Sequence, residues 1–228
     1  MKWLVGLLTI SVTIVLFLAM KRLYEYAPFP LLLPLLTSGA AMVALLLSLG
    51  ISYDTYMIGG RWLNELLGPA VVAMAIPLYR HRKMVKQYAV SILCGVTVGC
   101  LLALASGIAL AHLLGFDEEL IYSILPKSVT TPVAMDIAGT LGGIPPLAAV
   151  FVMVAGLTGA VFGPYVFKWC HIDHALGKGV GMGSAAHAIG TSKALEYGEA
   201  EGTASSVAMT LCAVFTSILA PLFILLLF

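Results

Sequence analysis

The chain has 228 residues, of which 61% are hydrophobic and only 10% charged, and its formal net charge is +1. A soluble domain carries roughly 25% charged residues, so a globule surrounded by water is excluded. Several apolar runs reach the roughly 20 residues that cross a bilayer as a helix. The expected class is an all-α polytopic membrane protein with about six to eight membrane helices.

Trp3–Met20 is the first predicted span. It is too long and too uniformly apolar for a cleaved leader, and no small-residue cleavage site follows it. Tyr24 and Tyr26 then mark the interface, where rings with a polar tip settle. Pro30–Leu49 is the second span. Tyr53–Leu67 mixes Asp54, Arg61, Asn64 and Glu65 with apolar residues, and is either an interfacial helix or the first half of a broken crossing. Gly68–Pro69 places a cap-like residue before a proline, and Ala70–Tyr79 follows as a short half-helix. Val85–Leu114 is long enough to span. The connections holding Lys21–Arg22 and Arg80, His81, Arg82, Lys83 and Lys86 are basic, whereas Asp117, Glu118 and Glu119 are acidic. The positive-inside tendency assigns the first two to the cytoplasm and the third to the outside. Membrane topology accounts for the basic cluster, and no nucleic-acid partner is expected.

The second half holds the most informative stretch, Leu125 to Asp136, which reads LPKSVTTPVAMD. It lies between apolar runs yet carries two prolines, three hydroxyls and a cation. Pro126 and Pro132 cannot donate backbone hydrogen bonds, so the helix is expected to break here. Thr131–Pro132 reads as an N-cap followed by a first helical residue. A helix that starts inside a membrane directs free N–H groups and a partial positive charge at whatever lies before it. With Lys127 beside that start, the simplest use of the place is to hold a small anion. A lysine snorkelling to the interface is the bland alternative.

Gly142–Pro146 is a turn. Leu147–Phe167 is a span whose Gly159 and Gly163, four apart, permit close helix packing. Lys168–Lys178 is polar. Its His171, Asp173 and His174 resemble a metal corner only superficially, and no metal or cofactor is expected. Gly177, Gly179, Gly181 and Gly183 alternate, and a helix is predicted from Ser184, capped by it, to Leu195. Ser184, His187 and Thr191 then share one face. Ser184 and Thr191 can donate to a carboxylate and His187 can carry a proton, although such residues also merely glue helices together. Thr203–Phe228 is the last span. Cys94, Cys100, Cys170 and Cys212 lack CxxC spacing and read as small hydrophobes rather than a metal site or disulfide framework.

Sliding the chain by 115 residues aligns Pro30 with Pro145, Gly68 with Gly183 and Ser91 with Ser206. The order of span, span, broken segment, span recurs. One integral membrane domain, 1–228, is therefore expected to consist of repeat halves 1–115 and 116–228, with substrate held by discontinuous helices where the repeats meet. Enzyme signals are absent. There is no GxxxxGK[ST] loop, GxSxG elbow or HExxH.

The PKSVTTP run at 126–132, the GGIP run at 142–145, Gly159 to Gly163, the run from Ser184 to Lys193 and the segment Tyr56–Tyr79 together resemble the CidB/LrgB family. The likeness covers nearly the whole chain. Its mild departure is Ser184–Ala185–Ala186–His187 where Thr–Ala–Ser–His is usual. The resemblance implies a multi-pass protein of the bacterial inner membrane with two functional reputations. One is a holin/antiholin-like regulator of murein hydrolase export and lysis, acting with a small CidA/LrgA-type partner. The other is transport of small monocarboxylates of the pyruvate, glycolate and glycerate class. The broken helices favour transport. The anion is then expected to meet Lys127, Ser128, Thr130 and Thr131 on one side and Ser184, His187 and Thr191 on the other, with Gly68 contributing a third helix start and His187 coupling a proton. A homo-oligomer is permitted by the Gly-rich faces.

Overall fold

The computed structural model describes the chain apart from Met1, Pro28, Pro30, Leu31, Leu33, Leu67, Gly68, Ala70, Val71, Met74 and Phe228. Among the described residues every regular element is a helix. The chain divides into two compact units, 1–70 and 71–228.

The first unit contains α1 (Lys2–Tyr26), α2 (Pro34–Ser48) and α3 (Tyr53–Glu65). The most apolar 18 residues of α1 have a mean hydropathy of 2.4, and the helix continues past Met20 through Lys21 and Arg22 to Tyr26. At 1.5 Å per residue it is about 37 Å long, more than the roughly 30 Å hydrocarbon core of a bilayer. Ser52 caps α3 by accepting from the Thr55 N–H at 3.3 Å, with Asp54 in the first turn at the positive end of the helix. Glycine brings α1 and α3 together: a β-carbon on Gly59 would strike Thr9 and the Gly6 carbonyl. Beside this contact is an apolar groove of about 560 Å³ lined by Trp3, Gly6, Leu7, Ile10, Ile58 and Trp62.

The second unit contains α4 (Ala75–Arg80), α5 (Arg82–Gln87), α6 (Ala89–Leu113), α7 (Glu118–Ile124), α8 (Thr131–Leu141), α9 (Pro145–Trp169), α10 (Ala175–Tyr197) and α11 (Glu199–Leu227). Among the described residues, α1, α6, α9 and α11 are the four helices long and apolar enough to cross a membrane. The remaining elements are shorter or broken. The expected span Val85–Leu114 is interrupted at Tyr88, where α5 gives way to α6. Asp117 caps α7 through the Leu120 N–H at 3.1 Å. Gly142, at φ 88°, ends α8 in the left-handed conformation that glycine adopts without a steric cost.

The core of this unit follows a row of α6, Ile92, Val96, Cys100 and Leu104, spaced by four so that each lies above the last. It packs with Val133, Ala134, Ile137 and Ala138 of α8, Ala148 and Val152 of α9, and Val207, Ala208 and Cys212 of α11. The opposite faces expose Val98, Leu102, Val150, Val154, Ile218 and Leu222. Such faces suit hydrocarbon, since nothing polar on them asks for water.

The glycines near 180 behave differently from expectation. Helix α10 starts at Ala175 and runs through Gly177, Gly179, Gly181 and Gly183, so Ser184 lies inside a helix and is not its cap. These glycines are there for contact. A β-carbon on Gly179 would come within 2.5 Å of Ala204 Cβ, and one on Gly183 would strike the Ser205 carbonyl. In a membrane, where apolar burial drives little, such backbone approach is a main source of helix association. Gly159 and Gly163 act as predicted from their spacing: they admit Ala186 and Met182 of α10 against α9.

Candidate functional site

Two interruptions carry the polar residues. The first separates α7 from α8. Lys127 N–H bonds the Ile124 carbonyl at 3.1 Å and Val129 N–H bonds Pro126 at 3.2 Å, so 125–130 is a run of tight turns. Thr130, with φ −67° and ψ 148°, is the N-cap, one residue before the expected Thr131. Its carbonyl already accepts from the Ala134 N–H at 2.9 Å and opens the ladder. Pro132 falls in the first turn, where a missing donor costs nothing. Ser128 and Thr130 are buried, while Thr131 and Lys127 are half-buried.

The Lys127 ammonium donates to the Ala103 carbonyl of α6 at 2.6 Å. That carbonyl has a second lone pair free beside its intrahelical bond. Access to it is open because the next residue on the same row is Gly107, where a β-carbon would sit 2.8 Å from Lys127 Nζ. Among the described residues the ion pair present is Lys193–Glu196, not one with Lys127. Asp136, nine residues further on, is exposed on α8. A membrane-embedded ammonium held by a neutral carbonyl keeps its charge uncompensated, which is costly unless an anion or water joins it.

The second interruption is a single residue. His187 has φ 43° and ψ −131° in the middle of α10, splitting it into 175–186 and 188–197. A non-glycine residue with positive φ is strained and needs fixed surroundings to persist. The fixing is visible: His187 is 3% exposed and its Nε2–H donates to the Val152 carbonyl of α9 at 2.9 Å. Again a glycine follows four residues on, and a β-carbon on Gly156 would lie 2.6 Å from His187 Nε2.

This kink overturns the expectation that Ser184, His187 and Thr191 share one face. Ser184 Oγ donates to the Val180 carbonyl at 2.7 Å and faces Gly99 of α6. His187 faces α9. Thr191 Oγ1 donates to the His187 carbonyl at 2.9 Å and meets Ser205 Oγ of α11 at 2.8 Å. The rotation at His187 sends the three to three neighbours. Ser184 and Lys127 both meet α6, at Gly99 and Gly107, eight residues and so about 12 Å apart along its axis. Gly68, and with it the cap expected before Pro69, lies outside the described residues. His174 Nδ1 caps α10 by accepting from the Leu176 N–H at 3.2 Å. The partners Ala103, Val152 and Ser205 escaped the sequence reading. A carbonyl leaves no mark in a sequence, but Gly107 and Gly156, inside apolar spans, were a usable sign of close approach.

Fold and site together define a multi-pass membrane protein with helices interrupted at polar residues. The chain belongs to the LrgB-like family, whose model matches residues 13–226. It is 50% identical over 218 residues to YxaC of Bacillus subtilis, an uncharacterized protein, covering 96% of this chain and 95% of that one. It is 36% identical over 221 residues to the holin-like protein CidB of Staphylococcus aureus, covering 97% and 96%. It is 35% identical over 225 residues to the holin-like protein CidB of Staphylococcus epidermidis, covering 99% and 98%. No solved structure matches the chain. This is accordingly a multi-pass bacterial membrane protein of the family that includes the holin-like CidB proteins.

Proposed function

We propose that the protein is a secondary carrier of small monocarboxylates of the pyruvate and glycolate class. The observation that carries this reading is Lys127: an ammonium in a broken membrane segment, bonded to a carbonyl at 2.6 Å and free of a carboxylate partner among the described residues. A carboxylate arriving there gains a charge-assisted hydrogen bond in surroundings poor in water. Ser128, Thr130 and Thr131 stand beside it. His187, Ser184 and Thr191 form a second polar position, reached at a different level of α6, and His187 couples a proton. Both positions belong to the expected repeat half 116–228, and α6 of the half 1–115 packs against each, at Gly107 and at Gly99.

The family comparisons favour a second reading more directly than the first. The CidB relatives are named holin-like, and on that analogy the chain is a regulator of murein hydrolase export and lysis, working with a CidA/LrgA-type small membrane protein. The two readings separate in proteoliposomes. A carrier takes up labelled pyruvate or glycolate with saturation, retains dye-sized markers and loses uptake in Lys127→Met. A holin-like lesion releases the markers, shows no saturation and is indifferent to Lys127→Met.

A further inference from the structure

Cys100 of α6 and Cys212 of α11 are both fully buried, and their sulfurs are 3.0 Å apart. Their separation in sequence is 112 residues, so only the fold brings them together. The approach is a product of small residues. Gly95 and Gly99 of α6 seat Val180 and Ser184 of α10, while Gly179 and Gly183 of α10 seat α11. The three helices meet with little side chain between them. The Thr216 hydroxyl donates to Cys100 Sγ at 3.7 Å, and the Cys212 thiol points at the Ser184 carbonyl at 3.6 Å. Cys94 and Cys170 are exposed and elsewhere.

We propose that Cys100 and Cys212 are a reactive dithiol that closes to a reversible disulfide and ties α6 to α11. The 3.0 Å separation lies between a disulfide's roughly 2.05 Å and ordinary sulfur contact, so the two sulfurs already face each other. The oxidant is a small uncharged peroxide able to enter an apolar core. One sulfur attacks a peroxide oxygen, the O–O bond breaks, and a sulfenic acid and one water result. The second sulfur then displaces the sulfenic oxygen as water and the S–S bond forms. Two thiols and one hydrogen peroxide thus give one disulfide and two waters.

The bond has a mechanical consequence. α6 supplies the Ala103 carbonyl to Lys127, and α11 supplies Ser205 to Thr191. Joining the two helices fixes the elements that hold both polar positions, and oxidation removes the thiol proton aimed at the Ser184 carbonyl. Resting on the carrier reading, this makes the oxidised protein a locked carrier.

The full-length protein in membrane vesicles would be treated with hydrogen peroxide, denatured, alkylated, digested and analysed by mass spectrometry. The expected result is loss of the separately alkylated Cys100 and Cys212 peptides and appearance of one linked peptide, reversed by dithiothreitol and absent in Cys100→Ser. Alkylation of both cysteines after peroxide, or pairing of either with Cys94 or Cys170, overturns the dithiol. This readout requires no transport, so it stands or fails apart from the carrier assignment. In vesicles that take up carboxylate, peroxide is expected to abolish uptake in the native chain and to spare Cys100→Ser. Linkage with undiminished uptake overturns the lock.

Discussion

Lys127 Nζ lies 2.8 Å from the point where a β-carbon on Gly107 would stand. The glycine is one turn beyond Ala103, whose carbonyl accepts from the ammonium at 2.6 Å. His187 repeats the relationship with Val152, the glycine one turn beyond being Gly156. In each case a polar side chain at a helix break is received by a carbonyl of an intact helix that glycine has left uncovered. Two elements of unlike sequence, a Pro-rich turn and a kinked helix, use one solution.

Gly107→Ala is expected to cost function without costing the fold. The colliding atom is the far end of a flexible lysine, which can swing aside. Alanine returns about 1 kcal/mol of helix propensity, against the about 1.5–3 kcal/mol of a hydrogen bond to a charged group. Thermal unfolding in detergent should move little, while saturable carboxylate uptake falls towards that of Lys127→Met.

The strained backbone at His187 gives an ordering of two variants. His187→Ala and His187→Gly both remove the bond to Val152, but alanine must still adopt φ 43°. Glycine adopts it freely, so His187→Gly should be the more stable of the two by about 1 kcal/mol. Denaturant midpoints of the purified variants would check this. Equal midpoints would deny the strain.

Gly183→Ala should disrupt the molecule. The β-carbon would meet the backbone of Ser205, which cannot rotate away, so α10 and α11 must part. Overpacking of this kind costs about 1–3 kcal/mol or more. Gly39→Ala is the control, since a β-carbon there meets nothing within 4 Å. Monodisperse yield on size-exclusion chromatography should collapse for the first and hold for the second.

Ser123→Ala tests the turn between α8 and α9. Ser123 Oγ is fully buried, donates to the Glu119 carbonyl at 2.7 Å and accepts from the Ile144 N–H at 2.7 Å. Alanine leaves the Ile144 donor unmatched, at about 1–3 kcal/mol. A lower melting temperature is expected, and Ser123→Thr is a poor rescue because the adjoining Gly143 packs against this residue.

Much of this was legible before the fold was known. The break at Leu125–Pro132 follows from prolines without donors, and close packing at Gly159 and Gly163 from their spacing. The misread element was α10. Alternating glycines signal a loop in water, but in a tightly packed membrane bundle they signal a neighbouring backbone, and Gly179 and Gly183 are of that second kind. The kink at His187 has no proline, and Gly190, whose β-carbon would lie 2.5 Å from the Met182 carbonyl across the break, is too ordinary in a Gly-rich helix to announce it. It is imposed from outside, by Val152 and the room at Gly156, and tertiary constraints of that sort are invisible to local pattern. The meeting of Cys100 and Cys212 is equally a property of assembled helices.

A break confined to one residue has a mechanical meaning. The segments 175–186 and 188–197 are each stiff rods, and His187 alone supplies the torsions that join them. Turning about that pivot would reorient Thr191 with respect to Ser184 while leaving every helical turn wound. Spin labels on the two arms would register such a swing as a changed distance, against a circular dichroism spectrum that stays constant.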